Sequence, residues 1–256
     1  MTDFKGRSVL ITGGAGGIGA ETALAFLEQG ANVAIVDLSE EALAATKSKL
    51  EGHGEVLTFA ADVSDEGAVK NFVDQTVAAF GGIDVFFNNA GIEGKQVPLT
   101  ELSVETFQKL FAVNALGVFL GMKHVLPIMQ AAGRGSIINT SSQAGLYGSP
   151  NMLAYVGSKH AVTGMTKTAA LEAAPFGVRV NSIHPYGIAT PMVDRVEADL
   201  ASKGFDMSAF DLTKVIPLGR TASPRDMANV VVFLGSDESA YLTGIQLRAD
   251  GGLGAR

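Results

Sequence analysis

The sequence predicts an α/β protein built on a doubly wound parallel sheet of about seven strands, with helices on both faces. Short apolar runs typical of buried parallel strands alternate along the chain with longer segments of helical periodicity. Hydrophobic residues make up 47% of the 256 positions and charged residues only 18%, which indicates a large core. Because no repeat, linker or low-complexity tract interrupts the alternation, we expect a single domain over residues 1–256 with right-handed crossovers.

The first predicted strand is followed directly by a glycine-rich loop. Residues 8–11 form the apolar run, residues 12–19 read Thr-Gly-Gly-Ala-Gly-Gly-Ile-Gly, and residues 20–29 have helical periodicity. Glycines let the chain turn sharply and let its backbone approach a pyrophosphate. The helix that follows directs its unpaired N–H groups and positive dipole end at the anion. This order of strand, loop and helix predicts a dinucleotide-binding site.

An acidic residue, Asp37, follows the second predicted strand at residues 32–36 and lies 18 positions beyond Gly19. A carboxylate at that distance is placed to accept hydrogen bonds from an adenosine ribose diol, and it would repel a 2′-phosphate. No lysine or arginine lies between Gly13 and Glu40 to offset this charge. The sequence therefore predicts NAD rather than NADP.

The remaining elements continue the alternation. Strands are predicted near residues 55–60, 83–87, 135–140, 178–184 and 244–248, and helices over residues 40–51, 65–80, 103–131, 152–174 and 224–235. Asp37, Asp62, Asn88 and Ser142 stand at or just after predicted strand ends. Because the carboxyl ends of parallel strands meet at one edge of the sheet, these residues are expected to share a site.

Tyr155 and Lys159 form a candidate proton-transfer pair. They are four residues apart in a helical run, so they project from the same face, and Ser142 follows an apolar strand upstream. A free phenol titrates near about pH 10, and an adjacent ammonium is expected to lower its pKa towards the working range. The pattern therefore favours acid/base chemistry at Tyr155.

Together these residues resemble the short-chain dehydrogenase/reductase family of Rossmann-type enzymes, nearly from end to end. The matching motifs are residues 12–19, Asp62-Val63, Asn88-Asn89-Ala90-Gly91, Asn114, Ser142, Tyr155, Lys159, Pro185, Ile188, Thr190 and Asp250-Gly251-Gly252. The resemblance implies a catalytic tetrad of Asn114, Ser142, Tyr155 and Lys159. It implies cofactor contacts from Gly13, Gly17, Ile18, Gly19, Asp37, Asp62, Val63, Asn89, Tyr155, Lys159, Ile188 and Thr190.

Hydride transfer at a carbinol carbon leaves a proton to be handled on the oxygen. Tyr155 is expected to donate or accept this proton, Lys159 to lower its pKa and bind the nicotinamide ribose, and Ser142 to stabilise the substrate oxygen. The family places a proton-relay water at the position of Asn114. No metal is expected, because the four histidines lack ligand spacing; they are His53, His124, His160 and His184.

The loop after the sixth predicted strand indicates the class of substrate. Tyr186 stands where the family usually has glycine, so its ring is expected to wall the pocket, and residues 190–216 form a candidate apolar lid. No cluster of arginine or lysine in this segment awaits a carboxylate or phosphate, although Arg195 and Lys203 keep a single charged contact open. We expect a small, mostly apolar, cyclic or branched secondary alcohol and its ketone. Residues 86–96 are also similar to those of cyclic-diketone (levodione-type) reductases.

Two alternatives remain open. The first is a 3-oxoacyl-carrier-protein reductase, a branch that generally prefers NADP and docks an acidic carrier with basic residues at the ends of its two long helices. Here those ends, residues 130–133 and 173–176, carry no basic residue, and Arg134 lies just beyond the first. The second is a non-catalytic NAD-binding sensor or scaffold, which would not need the whole tetrad.

Composition and charge limit the classes of binding partner and the cellular location that we expect. The net charge of −7 argues against nucleic acid or anionic lipid as a partner, and the absence of cysteine is compatible with a reducing cytosol. The N-terminus shows no signal-peptide pattern, and no apolar run approaches a membrane span. We expect a cytoplasmic enzyme with a small-molecule substrate and no membrane partner. The resemblance implies a homotetramer that uses the two long helices.

Overall fold

One parallel sheet organises the part of the chain that the computed structural model describes, residues 3–190, 193, 195 and 211–255. The strands are β1 Ser8–Thr12, β2 Asn32–Asp37, β3 Val56–Ala60, β4 Val85–Asn88, β5 Gly135–Thr140, β6 Val178–Pro185 and β7 Gln246–Ala249. Their order across the sheet is β3-β2-β1-β4-β5-β6-β7. The seven-stranded, doubly wound sheet expected from the sequence is thus confirmed.

Helices cover both faces of this sheet. They are α1 Gly17–Leu27, α2 Glu40–Leu50, α3 Glu66–Phe80, α4 Val104–Phe111, α5 Gly117–Ala132, α6 Leu153–Ala173, α7 Leu212–Val215 and α8 Pro224–Gly235. Side-chain caps fix several starts: Ser39, Asp65 and Ser103 each accept a hydrogen bond from a backbone N–H in the first turn. Such caps satisfy donors that the helix itself leaves unpaired.

The two halves of the sheet meet at β1, which pairs with β2 on one side and with β4 on the other. The strand order therefore reverses between β1 and β4, and a crevice opens at the carboxyl ends of these strands. All five residues of β1 and all four of β4 are buried, as expected for parallel strands covered on both faces. This crevice is where the sequence motifs converge.

The predicted helix over residues 103–131 is not uniform. Residues Ala112–Leu116 form a π-helical turn between α4 and α5. Asn114 lies in this turn and is fully buried. Such a turn inserts one extra residue and is frequent at functional sites. Apolar periodicity cannot reveal it, because the residues on either side keep their helical pattern.

The stretch Val104–Ala132 also changes the expectation about membrane spans. By length and composition this stretch could cross a bilayer, because an 18-residue window within it has a mean hydropathy of 1.5. By this criterion, the expectation that no apolar segment approaches the length of a membrane span was wrong. Within that window 44% of the residues are buried. Leu120, Val125 and Met129 belong to the core beside the sheet, so the apolarity is what a core helix requires.

Hydrogen bonds that Thr12 accepts join the ends of neighbouring strands. Its hydroxyl oxygen accepts from the backbone N–H groups of Asn89 (2.9 Å) and Ala90 (3.1 Å). The Asn89 side chain donates to the Thr12 carbonyl (3.2 Å) and accepts from the Thr140 hydroxyl (3.1 Å). The carboxyl ends of β1, β4 and β5 are thereby held together.

We expect Thr12→Val to lower the free energy of unfolding by about 1–3 kcal/mol, because two partly buried N–H groups lose their acceptor. Thr22→Val is the matched control: the Thr22 hydroxyl is buried in α1 and has no hydrogen-bond partner among the described residues. Denaturant unfolding should show Thr22→Val to be neutral or stabilising. Equal losses from both substitutions would contradict the role given to Thr12.

A second prediction concerns close packing of α5 on the sheet. A Cβ added at Gly121 would lie 2.8 Å from the buried Phe86 ring, whereas one at Gly164 on α6 would meet nothing within 4 Å. Gly121→Ala should therefore cost about 1–3 kcal/mol of stability. Gly164→Ala should instead stabilise by about 0.5–1 kcal/mol, because alanine loses less backbone entropy in a helix. The sign of each change in thermal midpoint tests this; a stabilising Gly121→Ala would refute it.

Candidate active site

The glycine-rich loop leaves no room for side chains. Gly13 has a φ of +66°, in the left-handed region. A Cβ on Gly19 would lie 2.1 Å from the Gly13 carbonyl oxygen, and one on Gly17 would lie 3.1 Å from Thr190 Cγ2. Helix α1 begins at Gly17, earlier than the sequence predicted, so its first N–H groups point out of this bare loop. The cradle fits a pyrophosphate.

Asp37 occupies the end of β2, beside the loop. One carboxylate oxygen accepts from the Ala15 N–H (3.0 Å) and the other from the Leu38 N–H (2.8 Å). The carboxylate is partly exposed and retains lone pairs for a further donor. It therefore supports the glycine-rich loop from the end of β2.

Five other predicted cofactor residues differ in their exposure. Asp62, after β3, is exposed and accepts from the N–H of Ser64 (2.8 Å). Val63 is buried; a Cβ on Gly117 of α5 would lie 2.9 Å from its methyl group. Ile188 is also buried, bridged to Ala222. The Thr190 side chain lies beside the Gly17 backbone, whereas the partly buried Ile18 packs against the core.

Lys159 is a buried ammonium on α6 with one hydrogen-bond acceptor among the described residues. Only 3% of its surface is exposed, and Nζ donates to the Thr140 carbonyl at 2.8 Å. Burial lowers its pKa to about 8, because desolvation disfavours the charged form. Nζ lies 5.8 Å from the centroid of the Tyr155 ring, one helical turn earlier. The predicted pair is therefore assembled.

Tyr155 is partly buried, and its phenol is hydrogen-bonded to the Ser142 side chain. Burial raises the pKa of the phenol; the Ser142 hydrogen bond opposes this rise, and the negative charge of Glu93 adds to it. The sequence led us to expect a lowered pKa through Lys159. In the chain itself desolvation dominates, and the Lys159 ammonium is directed at the Thr140 carbonyl instead.

Asn114 holds the loop after β4. Its side-chain oxygen accepts from the Ile92 N–H (2.8 Å), and its amide nitrogen donates to the Ile92 carbonyl (2.8 Å) and to the Ser158 hydroxyl (3.2 Å). A Cβ on Gly91 would lie 3.2 Å from the Asn114 oxygen and 3.4 Å from Lys159 Nζ. The π-helical turn thus brings Asn114 to the same place as the catalytic lysine candidate.

Ser142 lies between β5 and a 3₁₀ turn at Gln143–Gly145. Its hydroxyl accepts from the Ala144 N–H (3.1 Å). Its carbonyl accepts from the Gly145 N–H (2.9 Å) and from His184 Nδ1 (2.7 Å). Sequence reasoning gave His184 no role. Its position at the end of the predicted strand over residues 178–184, directly before Pro185, is the signal that could have raised it.

The substrate side is described in part. Tyr186 is half-buried, burial raises the pKa of its phenol, and the following Gly187 takes a φ of +62°. Glu93 and Arg195 form an ion pair at 2.9 Å. Most of the predicted lid lies outside the described residues, including Met192, Lys203, Phe205, Met207 and Phe210.

None of the described residues belongs to a group of three or more histidine, cysteine, aspartate or glutamate side chains that could hold a metal ion. His53 is exposed, His124 pairs with Glu66 at 3.1 Å, and His160 Nδ1 lies 3.0 Å from the Val156 carbonyl.

Comparison with known sequences supplies close relatives over the whole chain. Levodione reductase of Leifsonia aquatica is 41% identical over 99% of this chain and 96% of its own length. The 2,5-dichloro-2,5-cyclohexadiene-1,4-diol dehydrogenase of Sphingobium indicum is 39% identical over the full length of both chains.

Solved structures agree with this. A levodione reductase structure matches with a TM-score of 0.95 at 41% identity, covering 98% of this chain and 99% of that one. An NAD⁺-bound xylitol dehydrogenase matches with a TM-score of 0.92 at 36% identity, covering 97% and 99%. A family model described as enoyl-(acyl carrier protein) reductase spans residues 13–254. The chain therefore belongs to the short-chain dehydrogenase/reductase family, whose members are oxidoreductases that use a nicotinamide cofactor.

Proposed function

We propose that the protein is an NAD-dependent oxidoreductase that transfers a hydride between nicotinamide and a small, mostly apolar, cyclic secondary alcohol or its ketone. The observation that carries the proposal is the grouping of Tyr155, Ser142 and Lys159: the phenol is hydrogen-bonded to the serine, and the buried ammonium lies beside it. These side chains lie at the sheet edge where the glycine loop and Asp37 also lie.

The cofactor would be held by the bare loop and the strand ends around it. Gly13, Gly17 and Gly19 would cradle the pyrophosphate, and Asp37 would accept hydrogen bonds from the adenosine ribose. The other proposed contacts are Ile18, Asp62, Val63, Asn89, Tyr155, Lys159, Ile188 and Thr190. When bound, the cofactor supplies or accepts the hydride. The absence of lysine and arginine between Gly13 and Glu40 and the NAD⁺-bound structural relative both favour NAD.

Proton handling falls to the tetrad. Because burial raises the pKa of Tyr155, the phenol is protonated at neutral pH and is ready to donate to a ketone oxygen during reduction. Oxidation requires the phenolate and is favoured as pH rises. Ser142 would hydrogen-bond the substrate oxygen and stabilise charge that develops there. Lys159 would support the phenolate, and Asn114 would hold the loop that borders them.

The substrate class rests on the lining and on the relatives. Glu93, Lys95 and Leu110 border the small cleft that reaches Tyr155. Glu93 and Arg195 pair with each other, which disfavours a carboxylate or phosphate ligand. The dichlorocyclohexadienediol dehydrogenase bears a cyclic diol in its name, and a 38% identical relative from Acinetobacter is a cyclohexanol dehydrogenase. Cyclohexanol with NAD is therefore the first substrate to test.

The carrier-protein alternative has less support. Arg134, the cation just beyond α5, pairs with Asp84 at 3.0 Å, and the net charge of −7 would repel an acidic carrier. Turnover of an acetoacetyl thioester with NADPH, faster than turnover of cyclohexanone with NADH, would establish that alternative. A non-catalytic NAD sensor would bind the cofactor and turn over neither ketone.

We place the protein in the cytoplasm as a homotetramer. Apolar side chains are exposed along α4, the π-helical turn, α5 and α6; they include Val104, Phe107, Leu116, Phe119, Leu153 and Leu171. Exposed apolar surface of this kind favours contact with another subunit. Sedimentation at several concentrations gives the mass of the assembly and tests this part of the proposal.

Cofactor choice tests the role of Asp37. Catalytic efficiency with NAD should exceed that with NADP by at least about tenfold, equivalent to about 1.4 kcal/mol. Asp37→Ala combined with Leu38→Arg should erode or reverse the preference. Asp37→Asn is the matched control, because it can still accept from the Ala15 N–H but carries no charge to repel a 2′-phosphate. Equal efficiency of the wild type with both cofactors would contradict the proposal.

Tyr155→Phe tests the acid/base. The ring remains but the transferable proton is lost, so turnover should fall by about 10²–10⁴-fold. Affinity for NADH should be largely retained; nicotinamide fluorescence can report it, because the chain has no tryptophan. Wild-type oxidation should accelerate with rising pH, since the raised pKa keeps the phenol protonated at neutrality. Near-normal turnover of Tyr155→Phe would remove tyrosine from the mechanism.

A further inference from the structure

We propose that His184 is a positioning residue that fixes the Ser142 hydroxyl for catalysis by holding the Ser142 carbonyl to β6. The inference rests on the proposed function, in which Ser142 binds the substrate oxygen. His184 is fully buried, and its Nδ1 lies 2.7 Å from the Ser142 carbonyl oxygen. Among the described residues its ring nitrogens lie within hydrogen-bonding distance of the Ser142 carbonyl and the Ser182 hydroxyl, so it would act through Ser142.

The contacts of the ring define its tautomer. A carbonyl oxygen can only accept, so Nδ1 carries the hydrogen and donates to Ser142. Nε2 must then accept, and the Ser182 hydroxyl lies 2.9 Å away to donate to it. Ser182 is two residues earlier in β6, on the same face of the strand. The ring is thus hydrogen-bonded at both nitrogens, so it connects strand β6 to the turn that carries Ser142.

The neutral form of the ring persists through the working pH range. The pKa of His184 is lowered to about 4, first by burial and then by the positive charges of Lys159, Arg248 and His160; the hydrogen bond to Ser142 opposes this. A neutral ring at Nε2 accepts from Ser182 as the contacts require. The connection between β6 and Ser142 is therefore constant over the pH range in which Tyr155 is to be tested.

The Ser142 hydroxyl depends on this connection because the residue stands where a strand becomes a turn. The preceding residue, Ser141, is held by the Ile183 carbonyl, and its hydroxyl donates to the Lys159 carbonyl (2.9 Å). Beyond it, the Ser142 carbonyl is held by the N–H of Gly145, within the same turn, and by His184. Of these two contacts, only His184 relates the Ser142 peptide to the sheet.

The test compares two substitutions of equal size. His184→Leu removes both hydrogen bonds, whereas His184→Asn keeps an N–H donor at the position of Nδ1. Asn181→Leu is the control for lost stability: Asn181 is buried in the same strand and also makes two side-chain hydrogen bonds, to Leu242 and Ile245, away from Ser142. Cyclohexanol oxidation with NAD gives kcat and KM, and NADH fluorescence gives cofactor affinity.

We expect His184→Leu to lower kcat by about 10- to 100-fold, the effect of a misplaced catalytic group, with NADH affinity unchanged. His184→Asn should restore kcat to within about threefold of the wild type. Asn181→Leu should lower the thermal midpoint without a comparable loss of kcat. In a Ser142→Ala background, His184→Leu should cause little further loss, because residues that act as a unit are not additive.

Wild-type kcat in His184→Leu, or a loss that multiplies fully with that of Ser142→Ala, would overturn the inference. If His184→Leu cannot be obtained folded, His184→Asn decides alone: a deep loss of kcat with the donor retained would also overturn it. Failure of the proposed function gives a different result, because the wild type itself would then not oxidise cyclohexanol. Failure of the Ser142 role alone would leave Ser142→Ala at the wild-type kcat whatever stands at position 184.

Discussion

Thr140, at the end of β5, connects Lys159 on α6 to the glycine-rich loop after β1. Its carbonyl accepts from the buried Lys159 ammonium, and its hydroxyl donates to Asn89, whose amide reaches the loop after β1. A buried ammonium without an acceptor would carry a large desolvation cost. The position of Lys159 therefore depends on this strand end, and Thr140 also connects Lys159 through Asn89 to the glycine-rich loop.

Burial also governs the protonation of the site. Desolvation raises the pKa of the Tyr155 phenol, lowers that of Lys159 to about 8, and lowers that of His184 to about 4. In each case the low dielectric surroundings disfavour the charged form. Ser142 is the residue at which two of these groups meet, because its hydroxyl is bonded to the phenol and its carbonyl to the imidazole.

Close backbone approach brings these groups together. A Cβ on Gly145 would lie 2.1 Å from the Ser141 hydroxyl and 2.8 Å from the Lys159 carbonyl, so the turn that carries Ser142 rests directly on α6. The π-helical turn has the same effect from the other side, because it places Asn114 beside Gly91 and Lys159.

The sequence by itself determined the order of strands and helices, the glycine loop, Asp37 and the Tyr155–Lys159 spacing, because periodicity and local spacing are properties of neighbouring residues. Tertiary structure decided the rest. Whether desolvation or Lys159 governs the Tyr155 pKa depends on how deeply each group is buried. The π-helical turn and the contact of His184 with Ser142, 42 positions away, arise only when β5, β6 and α6 are packed together. Spacing cannot report such contacts, because their partners are distant in the chain.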